Sequence, residues 1–217
     1  MLENIINLQT LSFLIAILLG LTIHEFSHAL VADYLGDPTA KYAGRLSLNP
    51  LRHLDPIGTI LLLIFLFTLG LGFGWGKPVP VNPYNLKHRH GELLVSLAGP
   101  FSNFLLAILV VVLLAVFPPA LTAGWSQDFF NLFYVIILVN VMLGIFNLLP
   151  IPPLDGSKIL FELLPAGQSE IRNTLERYGW VILIAVILFG ISLLGSIALY
   201  VYQALVNLSK LLHGLIY

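Results

Sequence analysis

The 217-residue sequence has no cysteine, and only 10% of its residues are charged. Without cysteine there are no disulfides, no thiolate zinc sites and no cysteine nucleophile. Any metal must therefore be held by histidine, carboxylate or backbone. A soluble domain carries about 25% charged residues. With 58% hydrophobic residues and a mean hydropathy of +0.94, this chain cannot cover itself with a water-facing surface. An excess of either charge is also missing: ten Lys and Arg stand against eleven Asp and Glu, which gives no footing for nucleic acid as a partner. Length alone would allow one or two soluble domains, but composition points to a single membrane-embedded domain over 1–217. A basic stretch before the first apolar run is absent too, since Glu3 is the only charge there. No small-residue cleavage site follows, so Leu11–Ile23 reads as a retained membrane helix rather than a signal peptide.

What the chain does have is apolar length. Five stretches, at about 8–34, 57–75, 92–117, 129–149 and 179–208, approach or exceed the roughly 20 residues needed to cross a hydrocarbon layer about 30 Å thick. Pro118-Pro119 and Gly124 mark a turn between the third and fourth. Pro150, Pro152 and Pro153 end the fourth, because proline lacks the amide donor and clashes with the preceding turn. The last stretch is too long for one untilted span, and Gly195-Ser196 offers a place to divide it.

Basic residues set the expected sidedness. Lys41, Arg45, Arg52, Lys77, Lys87 and Arg89 form one group and Lys158, Arg172 and Arg177 another, with none in 1–23 or 118–128. The positive-inside rule puts 35–91 and 157–177 in the cytoplasm. That bias vanishes if 57–75 crosses completely. Its glycine-rich tail over 70–76 is also a poor helix, at roughly 1 kcal/mol per glycine relative to alanine. The sequence therefore predicts an all-α polytopic membrane protein: a core of spanning helices, a re-entrant element entering near Pro56, and an extended return through Gly72–Val81. Non-helical backbone at membrane depth must be satisfied by protein or a wet cavity, so this element is expected to border a cavity.

The chemistry begins at His24-Glu25-Phe26-Ser27-His28, an H-E-x-x-H. On a helix, residues i and i+4 share a face, so both imidazoles can reach one Zn²⁺ at about 2.0–2.1 Å. Glu25 lies about 100° around the helix, placed to move a proton without being a ligand. A chance match is the bland alternative, but ionisable residues inside a membrane helix are functional by default. A catalytic zinc site needs a third protein ligand and an open position. The candidates are Asp33, Asp37, Asp55, Asp155, His53, His88 and His90. Asp33 and Asp37 read more simply as a solvated helix end or a cap, and His88 and His90 as part of a headgroup-facing basic cluster. Asp155 stands where an apolar helix has just been broken, although it also suits the start of a new helix as an N-cap.

H-E-x-x-H on a membrane helix, followed by Asn147, Pro150, Leu154, Asp155 and Gly156 in an N-x-x-P-x-x-x-L-D-G pattern, resembles the site-2 protease family of intramembrane zinc metalloproteases. Gly99-Pro100-Phe-Ser-Asn103 is similar to the family's glycine motif, and Gly76-Lys-Pro-Val-Pro-Val81 to its edge-strand segment. The resemblance covers roughly 10–160, the expected catalytic core, and adds little over 178–217. It implies one Zn²⁺ per chain on His24, His28 and Asp155, with Glu25 as catalytic acid/base. It implies that Asn147 binds the substrate backbone or polarises the scissile carbonyl. It also implies that Lys77, Val79 and Val81 present a small β edge to an unwound substrate, with the Val79 amide available between Pro78 and Pro80. The expected partners are a membrane-protein substrate and the lipid bilayer. The expected location is the plasma membrane of a prokaryote, in many passes, with the active site open to the cytoplasm. There is no room between Leu35 and Gly91 for a PDZ domain, and no nucleotide-sensing module is expected.

The charges agree with this reading. Zn²⁺ with two neutral imidazoles, one aspartate and ionised Glu25 sums to zero, the least costly state for ions removed from water. His24 lies about 16 Å from the helix exit near Leu35, at 1.5 Å per residue. Two other readings remain: a transporter whose buried acids and histidines relay ions, and a non-catalytic metal-binding membrane chaperone.

Overall fold

The protein is described by a computed structural model over residues 7–69, 72, 74–117, 126–165 and 169–216. Its long helices are α1 (Leu8–Tyr34), α4 (Gly91–Val116), α5 (Gln127–Asn147), α7 (Ser169–Ala185) and α8 (Ile191–Ile216). Shorter ones are α2 (Thr39–Tyr42), α3 (Pro56–Leu69) and α6 (Asp155–Leu163). Five helical segments are long and apolar enough to cross a membrane: Leu8–Tyr34, Gly91–Val116, Phe129–Asn147, Ser169–Gly190 and Ser192–Ile216. This is an all-α polytopic membrane protein. The turn expected at 118–124 lies outside the described residues.

α1, α4 and α5 pack on one another, α8 packs against α4 and α5, and α6 packs against α4. Between them Ala107, Val110, Val111, Ile137 and Val141 are buried. Side chains such as Leu109, Leu188 and Phe189 (84% exposed) face outward. In water such a surface would be an interaction or aggregation liability; against lipid it is ordinary solvation.

α1 shows how local sequence sets the ends of an element. Asn7 caps its start by accepting from the Thr10 amide at 2.8 Å. At the other end Gly36 takes a left-handed φ of +106°. The Gly36 and Asp37 amides then bond back to Asp33 O and Ala32 O at 3.1 and 2.8 Å, a Schellman closure.

In the second apolar stretch the described helix is α3, Pro56–Leu69. Its 14 residues extend about 21 Å at 1.5 Å per residue, less than a hydrocarbon layer. Its flanks meet: Leu54 and Gly76 form an isolated antiparallel bridge, and the Lys77 amide donates to His53 O at 2.8 Å. A Cβ on Gly58 would lie 2.2 Å from Trp75 O, so glycine is what lets the returning chain lie against the first turn of α3.

Beyond the bridge, residues 77–81 carry no regular secondary structure, and no strand forms among the described residues. The last apolar stretch is not divided at Gly195-Ser196. The helical chain starts at Ser169, ten residues early, and passes through a π turn at Val186–Gly190 into α8, leaving Gly195-Ser196 inside α8.

Asp37 ties the returning loop to the exit of α1. It is fully buried rather than solvated. It accepts from the Asn82 amide (2.7 Å), Asn85 Nδ2 (2.8 Å), and the Thr39 amide and hydroxyl (3.2 and 2.5 Å). Burial works against its charge, but the donors from Thr39, Asn85 and Asn82 outweigh it and hold the carboxyl below its ordinary value. A depressed folded-state pKa contributes stability above the unfolded value and loses it as pH falls through the folded one. Asp37→Ala is expected to cost about 1.5–3 kcal/mol, the scale of hydrogen bonds to a charged group. Thermal unfolding should show the wild type losing this margin below about pH 4, near the unfolded aspartate pKa, whereas Asp37→Ala should not show that part of the acid dependence.

Candidate metal centre

Two stripes of residues spaced by four meet where α1 crosses α4. Gly20, His24 and His28 lie along one face of α1, and Val95, Gly99 and Asn103 along one face of α4. They pair in antiparallel order. Asn103 Nδ2 donates to Gly20 O at 3.1 Å, and Asn103 Oδ1 lies 2.7 Å from His24 Nδ1. Val95 O lies 2.6 Å from His28 Nδ1. Gly99 sits between them against both imidazoles. A Cβ there would lie 2.4 Å from His28 Nε2 and 2.6 Å from His24 Nε2.

Asp155 closes the site from a third direction. Proline ends α5 near Pro150, and Asp155 is the first residue of α6, with Leu154 rather than Asp155 as its N-cap. Gly156 brings this turn against the end of α5; a Cβ there would meet Leu148 O and Leu149 O at 2.3 Å. Asp155 Oδ2 is 3.1 Å from both His24 Nε2 and His28 Nε2, which are 3.0 Å from each other. All three residues are buried, and they are the one group among the described residues with metal-holding geometry.

The donor set fits zinc on two counts. Around a tetrahedral ion with bonds of about 2.0–2.1 Å, donor atoms stand roughly 3.3–3.4 Å apart, and the triangle observed is slightly tighter than this. The hydrogen positions point the same way. Val95 O can only accept, so His28 Nδ1 carries its proton. Asn103 presents its oxygen to His24, so His24 Nδ1 does as well. In neutral imidazoles both Nε2 atoms then aim bare lone pairs at one another and at a carboxylate oxygen. Without a cation that arrangement is repulsive. With one, it is the pattern in which each ligand histidine gives its second N–H to an acceptor.

The other candidates are accounted for elsewhere. Asp33 pairs with Lys41 at 3.1 Å, and Asp55 Oδ1 caps α3 by accepting from the Gly58 amide at 2.8 Å. His53 Nε2 meets Ser47 O at 2.7 Å. His90 Nδ1 lies 3.1 Å from Glu162, with His88 beside it. Asn147 stands at the end of α5, with Nδ2 donating to Leu143 O at 3.0 Å and no hydrogen bond to the triad.

Glu25, next to the triad, is engaged by the returning loop. The Val79 amide, expected to be free, donates to Glu25 Oε2 at 2.9 Å. Arg45, also buried, donates to Lys77 O and Pro78 O. Burial pulls its guanidinium below its ordinary range, and the negative charge of Glu25 works the other way. Sequence reasoning missed Asn140 and the role of Arg45; it reaches Asp37 only as a metal candidate or helix end, and Asn103 only as part of the glycine motif.

The contact at Gly99 gives a sharp expectation. Gly99→Ala should displace both imidazoles and lower zinc content by tenfold or more, the scale of disturbing ligand orientation, while Gly195→Ala, where a Cβ meets nothing within 4 Å, should leave it unchanged. Metal analysis of the purified proteins checks both.

Comparison with known proteins agrees with this geometry. The profile of Peptidase family M50 matches residues 120–190, the part containing Asp155 but not the histidines. YwhC of Bacillus subtilis, provisionally named a zinc metalloprotease, is 41% identical over 190 residues, covering 86% of this chain and 83% of that one. Rip2 of Mycolicibacterium smegmatis, named in the same provisional way, is 32% identical over 172 residues, covering 79% of this chain and 64% of its own length. A zinc metalloprotease of Methanocaldococcus jannaschii is 29% identical over 120 residues, covering 52% of this chain and 34% of its own. No solved structure gives a significant match. The chain belongs to peptidase family M50, the site-2 protease family of membrane zinc metalloproteases.

Proposed function

We propose that this chain is an intramembrane zinc endopeptidase that hydrolyses peptide bonds in transmembrane or signal-peptide segments. The observation that carries the reading is the buried triangle of His24, His28 and Asp155 beside Glu25, inside a set of lipid-facing helices. In this reading His24, His28 and Asp155 hold one zinc ion. Bound there, zinc would polarise the scissile carbonyl and make water a nucleophile near neutral pH.

Glu25 takes the proton from the attacking water and delivers it to the leaving amine. The Val79 amide and the nearby Arg45 orient the Glu25 carboxylate. Asn147 has one amide hydrogen left after bonding Leu143 O, and it holds the substrate backbone next to the site. The catalytic core is about 10–160, with 178–217 as a supporting helical segment.

Substrate helices must be unwound before cleavage, because their amides are bonded to i−4. Residues 77–81 receive the unwound segment as an edge. Because the Val79 amide serves Glu25, the groups that pair with substrate are the Val79 carbonyl and the Val81 amide, which make no other hydrogen bond among the described residues. Lys77 anchors the edge through His53 O and Arg45. The excursion over 54–76 is re-entrant, a reading supported by the short α3 and by the Leu54–Gly76 bridge. The protein then sits in a prokaryotic plasma membrane with its site reached from the cytoplasm.

Two experiments test this. Glu25→Gln should retain zinc yet slow cleavage of a membrane-spanning test substrate by at least about a hundredfold, the low end of general acid/base contributions, and a zinc chelator should abolish wild-type cleavage. Wild-type rates in Glu25→Gln, or in chelator, would defeat the protease reading. For topology, Arg52→Cys and Lys87→Cys in this cysteine-free chain should label from the same face of oriented vesicles. Labelling from opposite faces would mean that the element crosses.

A further inference from the structure

Two asparagines at the centre of the helix bundle are fully buried: Asn103 on α4 and Asn140 on α5. In an apolar setting an amide is costly unless its groups are paired. These amides are paired in one direction only. Asn140 Nδ2 donates to Ile136 O at 2.9 Å. Asn140 Oδ1 accepts from Asn103 Nδ2 at 2.9 Å, and the second hydrogen of that Nδ2 goes to Gly20 O at 3.1 Å. Asn103 Oδ1 then faces His24 Nδ1 at 2.7 Å.

The direction is set by two backbone carbonyls, which can only accept. Turning the Asn140 amide over would set its oxygen against Ile136 O. Turning Asn103 over would set its oxygen against Gly20 O. Neither can flip, so Asn103 must offer His24 an acceptor, and His24 must carry its proton on Nδ1. In the neutral imidazole its Nε2 is then bare, aimed at Asp155 and His28.

Gly20 belongs to the same device. A Cβ there would lie 2.9 Å from Asn140 Oδ1 and 2.7 Å from Leu143, so the absence of a side chain is what lets Asn140 reach the crossing of α1 and α4. His28 needs no such relay, because a backbone carbonyl, Val95 O, fixes its tautomer directly.

We propose that Asn140, which does not touch His24, is a positioning residue for the metal centre. Acting through Asn103, it fixes the tautomer and ring direction of His24 and so sets zinc affinity, linking α5 to the site. The alternative is that the asparagines only join helices, as polar residues do in membranes. That role would change the stability of the apoprotein and leave zinc affinity alone. The inference rests on His24 binding zinc, as the proposed function holds.

The test is a zinc-affinity cycle on the full chain, by competition with a chromophoric chelator. Asn103→Leu should weaken binding about 10–100-fold, the scale of lost ligand-orienting partners. Asn140→Leu should weaken it by a smaller factor, and the double variant should bind no more weakly than Asn103→Leu alone. Wild-type affinity in Asn140→Leu, or losses that multiply in the double variant, would overturn the relay. His24→Ala is the control. Unchanged affinity there would instead sink the assignment of His24 as a ligand.

A second measurement needs no asparagine variant. In chelator-stripped wild type carrying ¹⁵N-histidine, the His24 resonance, assigned by its loss in His24→Gln, should show a protonated Nδ1. An unprotonated Nδ1 would overturn the proposal.

Discussion

Three candidate ligand atoms converge at the centre of this molecule, and the surrounding helices are organised by what their approach requires. His24 Nε2, His28 Nε2 and Asp155 Oδ2 stand 3.0–3.1 Å apart among apolar helices. Nothing among the described residues separates them, and each imidazole has an acceptor at its other nitrogen. In the proposed reading, a divalent cation held there would offset the charge of Asp155 and Glu25 together. The metal would then be part of what makes the bundle's interior electrostatically tolerable, as well as the source of the proposed chemistry.

α4 is the element that makes the convergence possible. Along one face, at a spacing of four, it supplies a carbonyl for His28, a gap for both rings and an amide for His24, at Val95, Gly99 and Asn103. α1 presents Gly20, His24 and His28 at the same spacing. Such i±4 rows are the ridges and grooves by which helices interlock, so the helix packing and the alignment of the ligands are a single arrangement here. Asp155 arrives by different means. It depends on a proline-broken helix end and on a glycine, Gly156, small enough to let α6 start against the last carbonyls of α5.

The sequence made the spanning helices legible because lipid demands long apolar runs. It made His24, Glu25 and His28 legible because ionisable residues are conspicuous there. Asp155 was readable from its position after Pro150–Pro153 and from family resemblance. The roles of Asn103, quoted only within the glycine motif, and of Asn140 were not, since an asparagine in an apolar helix says nothing about which partner it will meet across the bundle. Gly99 could be flagged as part of a motif, but its reason is visible only once α1 lies against it. Asp37 read as a solvated helix end or a cap because two of its donors, Asn82 and Asn85, are far away in sequence. For the same reason the Val79 amide looked available: its acceptor is on Glu25, 54 positions earlier. Gly195-Ser196, where the sequence offers a division, lies inside α8, and the π turn at Val186–Gly190 has no comparable sequence signal.

The claim on which everything else rests is the ligand set. X-ray absorption at the zinc edge, on purified wild type and Asp155→Ala, reads it directly. The account predicts one zinc per chain in the wild type, with two imidazole nitrogens and a carboxylate oxygen in its first shell at about 2.0–2.2 Å. It predicts loss of that oxygen together with most of the metal in Asp155→Ala. An unchanged spectrum and full zinc occupancy in Asp155→Ala would contradict it.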